Sequence, residues 1–141
     1  MDIIEQRFFT EVTQEIRNIR EKVFVEEQGF TDEFDQADKT AYHLLLLYNG
    51  RAAATGRVFE SPRNQTYTIG RVAVLREFRN RHLGKKVMEL LEEKAREQGA
   101  IIAEVSAQCR ARGFYEKNGY TATGDVYYDQ HCQHIHMEKH L

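Results

Sequence analysis

Cations crowd the place where a helix is about to begin. The run Arg76-Glu77-Phe78-Arg79-Asn80-Arg81-His82-Leu83-Gly84-Lys85-Lys86 sets basic residues around the first turn of a predicted helix. That is backwards for helix stability. A helix N-terminus carries partial positive charge, so an exposed cation there costs about 0.3–1 kcal/mol. The acids Glu89, Glu92 and Glu93 come later, where cations would be preferred. A bound polyanion resolves the conflict. Free backbone N–H groups at the helix start, with Arg and Lys side chains beside them, form a cradle for phosphate or diphosphate. Gly84 would let the backbone approach such a ligand closely. The alternative reading of the same residues is a solvated basic turn, with Gly84 easing helix entry.

A second group of residues adds to the first. Val72-Ala73-Val74, followed by Arg79-Asn80-Arg81-His82-Leu83-Gly84, resembles the acetyl-coenzyme A motif of the GNAT N-acetyltransferase family, whose pattern is Arg/Gln-x-x-Gly-x-Gly/Ala. Arg79 and Gly84 match, and His82 stands where the middle glycine is usual. A residue with a Cβ must avoid a glycine-only conformation there or carry strain. Downstream, Ala107-Gln108-x-x-Ala111-x-x-Phe114-Tyr115-Glu116-Lys117-x-Gly119-Tyr120 resembles the family's other signature, with Gln108 where Asn is common. The two motifs stand in the family's order, joined by one βα unit. Two narrower matches, Ile19-Arg20-x-x-Val23-Phe24-Val25-Glu26-Glu27-Gln28-Gly29 and His134-Ile135-x-Met137, resemble a small uncharacterised bacterial subgroup.

The resemblance implies transfer of an acetyl group from acetyl-coenzyme A, the co-substrate, to an amine of a small molecule or protein, with no metal. It implies that the backbone of Val72, Ala73 and Val74 pairs with the pantetheine arm as an added strand would. Arg79, Asn80, Arg81, His82, Leu83, Gly84 and Lys85 would hold the diphosphate, and Gln108, Phe114 and Tyr115 would complete the cofactor set. The reaction must bring thioester and amine into contact, take a proton from the amine and protect the departing thiolate. Tyr115 is the expected acid, because a phenol with an ordinary pKa of about 10 is protonated at neutral pH. Glu26, Glu27 and Glu104 are the candidate bases. Glu104 interrupts an apolar strand, so it faces either the cleft or solvent. The loop carrying Glu26, Glu27, Asp32, Glu33, Asp35 and Asp38 is either a rim that attracts a cationic amine or a solvated acidic loop.

Several elements must position these groups. A first strand is expected over Asp2–Phe8 and a helix over Thr10–Arg20, where Val12, Ile16 and Ile19 make an apolar stripe. Strands follow at His43–Tyr48, Ala52–Glu60 and Tyr67–Val74, the first two joined by the hairpin signal Asn49-Gly50. Leu83, Val87, Leu90, Leu91 and Ala95 define the clearest helix, stopped by Gly99. Ile101–Ala107 should pair parallel to Tyr67–Val74 across that helix, because a βαβ crossover returns in parallel. A short helix, Cys109–Asn118, and strands Tyr120–Tyr128 and Cys132–Glu138 close the chain. The expected architecture is mixed α/β in one domain, residues 1–141. The GNAT resemblance implies a central, mostly antiparallel sheet of six to seven strands with a splayed parallel pair and flanking helices.

Composition bounds the function. The chain of 141 residues has a formal net charge of -2 and 30% charged residues. That balance argues against a general nucleic-acid or membrane-surface binder, which needs a basic excess. The first residues show no basic segment followed by an apolar one, and the cysteines Cys109 and Cys132 are expected to be reduced, so a cytoplasmic location is expected; the chain is expected to be a monomer or a homodimer. His131, Cys132, His134 and His136 lack metal-site spacing and are expected to be structural or surface residues. Two other functions compete: a non-catalytic acyl-coenzyme A sensor, suggested by His82, and a nucleic-acid binder using Arg76, Arg79, Arg81, Lys85 and Lys86.

Overall fold

Asn49 and Gly50 join β2 (Tyr42–Tyr48) to β3 (Arg51–Glu60) with φ of 49° and 82°. Two successive left-handed residues make the hairpin turn whose twist matches the flanking strands. The computed structural model describes residues 1–141. Around this hairpin it sets β1 (Ile4–Phe9), α1 (Gln14–Arg20), β4 (Thr66–Val74), α2 (Leu83–Glu97), β5 (Ile102–Gln108), α3 (Arg112–Lys117), β6 (Thr121–Asp129) and β7 (Cys132–His140). The strands form one sheet of seven in the order β1-β2-β3-β4-β5-β7-β6. Only β4 and β5 run parallel. This is the mixed α/β arrangement expected from the sequence. No helix is long and apolar enough to cross a membrane.

Helix α1 starts later than expected. Thr13 caps it, its hydroxyl accepting from the Ile16 N–H at 3.3 Å, which supplies a partner to one of the helix's free donors. The chain then continues as a wide π-helical turn over Glu21–Glu27, beyond the expected helix end at Arg20. This turn keeps Val23 and Phe24 inward with Ile16 and Ile19, packed on Leu45, Leu47 and Ala73.

The larger core lies on the opposite face. Leu83, Val87, Leu90, Leu91 and Ala95 of α2 meet Leu44, Leu46, Val58, Ile69 and Val105 of the sheet. Helix and sheet lie close together at Gly56, where a Cβ would lie 2.7 Å from Leu91 Cδ1 and 2.8 Å from Val87 Cγ1. Overpacking of this kind costs about 1–3 kcal/mol. Gly56→Ala is expected to lower stability by that amount in a urea titration, with no change in the charge of any site group.

The sheet splits at one place. Thr55 pairs with Ala73 and Arg57 with Gly70, so two steps on β3 correspond to three on β4. The extra residue makes a β-bulge, and Arg71 there has a left-handed φ of 52°. Bulges bend the strand that carries them. Pairing with β5 is confined to Thr66–Ile69 against Ile102–Val105. Beyond that point β4 and β5 diverge, while β4 stays bonded to β3 as far as Val74.

Candidate active site

The divergence leaves Gly70–Val74 with one edge that has no strand partner. A cleft of about 470 Å³ opens there, walled by Arg71 and Val72 of β4, Ser106 and Gln108 of β5, Tyr115 of α3 and His134 of β7. Beyond the end of β4 lies a second hollow of about 380 Å³, lined among others by Val74, Asn80, His82, Gly84, Lys85 and Phe114.

The second hollow is the start of α2. Lys86 N–H is the first in the helix to find a backbone partner, His82 O at 3.2 Å. The N–H groups of Leu83, Gly84 and Lys85 have none, no side chain caps the helix, and its first turn holds no acid. Helix starts left open in this way bind anions through free N–H groups and the helix dipole. Asn80 from the loop, Lys85 from α2, Lys117 from α3 and Asn118 just after it ring the hollow. The last two were not legible in the sequence, because nothing local shows that α3 packs across the start of α2. The residues present therefore fit a diphosphate.

His82 itself adopts the left-handed conformation, φ 59° and ψ 23°, and Asn80 does so nearby at φ 66°. Histidine and asparagine are among the non-glycine residues most often found there. The loop thus takes a glycine-like path without glycine. L-residues pay about 1–2 kcal/mol in the left-handed conformation, and β-branched residues are genuine outliers there. His82→Val is expected to reduce acetyl-coenzyme A affinity about tenfold by calorimetry, whereas His82→Gly leaves it within about twofold. Gly84 has a packing role beyond the one expected, since a Cβ there would sit 3.1 Å from the Phe114 ring.

The other expected site residues fall in several places. Ala73 is buried beneath α1. Arg81 turns away from the hollow, its Nη1 donating to the Tyr48 hydroxyl at 3.0 Å and its guanidinium lying over the Tyr48 ring. Arg79 lines the hollow, but its Nε donates to Val74 O at 2.9 Å and its Nη2 to Glu27 at 3.0 Å. Glu27 is consequently not a free base. Burial would raise its pKa, but hydrogen bonds and charge from Arg79 and Arg76 outweigh burial and hold it below the ordinary carboxylate value. Glu104 also needs correction, because it does not line the cleft. It accepts from Thr68 Oγ1 at 2.7 Å and from Arg63 at 3.1 Å. Its ligand atoms cluster with those of His136 and Glu138, and Arg63 also binds Glu138 at 2.7 Å. Gln108 does line the cleft, hydrogen-bonded to Gln28 at 2.9 Å.

Tyr115 stands in the cleft wall, its ring edge-to-face with Phe114 at 5.1 Å and Tyr120 at 5.9 Å. Burial pushes its phenol up to about 12. It therefore keeps its proton at any pH where the protein would work.

The acidic loop is neither a simple rim nor fully solvated. Glu33 and Asp38 are buried. Arg20 binds Asp38 at 2.7 Å and Glu33 at 3.0 Å. Arg57 binds Asp38 at 2.8 Å and Asp35 at 2.7 Å, and Arg71 binds Glu33 at 2.7 Å. Burial alone would raise Asp38, but Arg20 and Arg57 together lower it to about 2. For Glu33 burial prevails and its pKa is raised. The network ties the loop to α1, to β3 and to the bulge of β4.

A sheet opened between its only two parallel strands, with an uncapped helix start beyond the opening, is the arrangement that the GNAT resemblance implied. The comparisons agree with it. Residues 10–141 match the model for the acetyltransferase (GNAT) domain. A Bacillus subtilis protein whose name assigns it only provisionally to the acetyltransferases is 34% identical over 126 residues, 86% of this chain and 84% of the relative. Escherichia coli ElaA superposes with a TM-score of 0.83 at 25% identity, over 97% of this chain and 99% of that one. A Bacillus subtilis acetyltransferase solved in complex with CoA shares the fold, with a TM-score of 0.78 at 15% identity over 99% of each chain. The chain belongs to the GNAT acetyltransferase family.

Proposed function

We propose that residues 1–141 form one catalytic domain that transfers an acetyl group from acetyl-coenzyme A directly to a primary amine of a small molecule or protein in the cytoplasm. One observation carries this reading: the unpaired edge of β4, Gly70–Val74, ends at Val74 in the wall of the hollow where the uncapped start of α2 lies. An extended pantetheine arm would take the missing strand's place along that edge. Its diphosphate would meet the free N–H groups of Leu83, Gly84 and Lys85. The neighbour solved with CoA supports the same choice of co-substrate.

Bound in this way, acetyl-coenzyme A supplies an activated acyl group. Tyr115 then donates a proton to the sulfur as it departs, a task that suits a phenol held at about 12. The cleft holds the amine against the thioester, which makes the reaction nearly unimolecular. The sensor alternative drew on His82 in a glycine position; His82 keeps the left-handed backbone there, which supports an intact cofactor loop and is compatible with either role.

The test pairs calorimetry with mass spectrometry. Purified protein should bind acetyl-coenzyme A, and labelled acetyl-coenzyme A incubated with a metabolite extract should give a labelled amide. Binding without any labelled product would favour the sensor. No binding of coenzyme A or its acyl forms would end the reading.

A further inference from the structure

We propose that His134 is the general base of this site, an inference that rests on the acyl-transfer reading above. His134 reaches the cleft because β7, the last strand in the chain, inserts between β5 and β6. It stands opposite Gln108 of β5 and Tyr127 of β6. The residue is only 6% exposed, yet it lines the same cleft as Tyr115.

Its protonation geometry is fixed by one contact. Nδ1 lies 3.1 Å from the carbonyl oxygen of Cys132. A carbonyl oxygen only accepts, so Nδ1 carries the hydrogen and the neutral ring leaves its lone pair on Nε2. Nε2 is bonded to no protein group. The ring is braced on both sides, stacked on Tyr127 with centroids 6.0 Å apart and edge-on to Phe30 at 6.2 Å. Tyr127 is held in turn by a hydrogen bond between its hydroxyl and Ser106 Oγ. Nε2 thus has no protein partner while its ring is held in one orientation at the cleft wall, which leaves its lone pair available to a molecule in the cleft.

Of the acids that line the cleft, Asp32 and Asp129 are unpaired but exposed to solvent, and the others are held by arginines. Glu33 and Asp35 in the cleft wall are ion-paired to Arg71 and Arg57, and Glu27 and Glu104 to Arg79 and Arg63. His134 carries no such partner.

The protons balance as follows. Nε2 takes a proton from the acceptor ammonium and passes it to water in the cleft. A bond then forms from the amine nitrogen to the thioester carbonyl carbon, and the carbon–sulfur bond breaks. His134 takes the second nitrogen proton as the amide forms, and the sulfur leaves with the proton of Tyr115. The proton on His134 returns to Tyr115 through water. One amide, one thiol and one released proton result from each ammonium and thioester.

Nitrogen-15 NMR of the histidine rings at about pH 8, where an ordinary histidine is neutral, reads the tautomer without any acceptor. His134 should show the Nδ1–H form. The Nε2–H form overturns the proposal whether or not an amine is turned over. Thiol release from acetyl-coenzyme A is then measured with spermidine, tyramine and a lysine-containing peptide. His134→Gln should lower kcat roughly a hundredfold, at the lower end for general-base loss, with acetyl-coenzyme A affinity by calorimetry within about twofold. If the wild type is active and His134→Gln turns over within about threefold of it, His134 is not the base and the acyltransferase reading stands. If the wild type fails to bind acetyl-coenzyme A, both fall.

Discussion

Tyr115→Phe is expected to lower kcat for thiol release from acetyl-coenzyme A by about a thousandfold, within the range for losing a general acid. The substitution removes one oxygen and nothing else. The ring keeps its edge-to-face contacts with Phe114 and Tyr120. The only influence raising the Tyr115 phenol is burial, so no protein hydrogen bond is lost with the hydroxyl. Stability should stay within about 0.5 kcal/mol, as for substitutions that break no partner. Acetyl-coenzyme A affinity should also hold, because the hollow at the start of α2 and the β4 edge are untouched. The loss should thus appear in kcat and not in binding, as expected when a group acts only in the transition state. Stopped-flow thiol detection beside calorimetry separates the two. An unchanged kcat would mean that the thiolate leaves without help from this residue.

The elements that could be read from the sequence are those whose signals are local. The stripe from Leu83 to Ala95 marks α2 because each of its residues packs on the same sheet face. Asn49-Gly50 marks the hairpin because the turn needs two left-handed residues and those two types adopt that conformation most cheaply. The β4 bulge gave no such sign. Its left-handed residue is Arg71, a type that favours no turn, and it is held there by Glu33 and Asp35, far off in the chain. The same blindness affected Glu104. Its interruption of an apolar strand left cleft and solvent both open, and its partner Arg63 lies in the turn before β4 and could not be inferred. His134 shows the limit most clearly. The alternation of His134, His136 and Glu138 with buried Ile135 and Met137 was legible. What that face meets depends on β7 lying beside β5, a crossing that no local pattern encodes.

Asp38→Ala is expected to destabilise the protein by about 3–5 kcal/mol, the cost of breaking a buried ion pair by removing one member. Arg20 and Arg57 share this carboxylate, and both guanidiniums are buried. Arg57 already has a buried Nε with no partner, so the site has no spare acceptor to offer it. Arg20 would keep Glu33, and Arg57 would keep Asp35, which places the expected loss toward the lower end. The pH dependence gives an independent check. The folded pKa of Asp38 is about 2, below its ordinary 3.8. A depressed carboxylate contributes stability above its unfolded pKa and loses it as pH falls through the folded one. The wild type should therefore lose stability between about pH 4 and 2, and Asp38→Ala should lose less over that range. Glu33 acts with the opposite sign, since its raised pKa makes the folded state less unfavourable as it protonates. Urea titrations across that pH range, with wild type and Asp38→Ala side by side, read the difference. The consequence reaches the site through Arg71, because the loop that Asp38 anchors also supplies Glu33 and Asp35 to the bulge. Loosening the loop frees the bulge, and a freed bulge allows β4 to pair further along β5 and close the edge on which acetyl-coenzyme A would lie. The variant should accordingly lose acetyl-coenzyme A affinity even where it remains folded, and calorimetry at low temperature, where most molecules are native, would detect that loss.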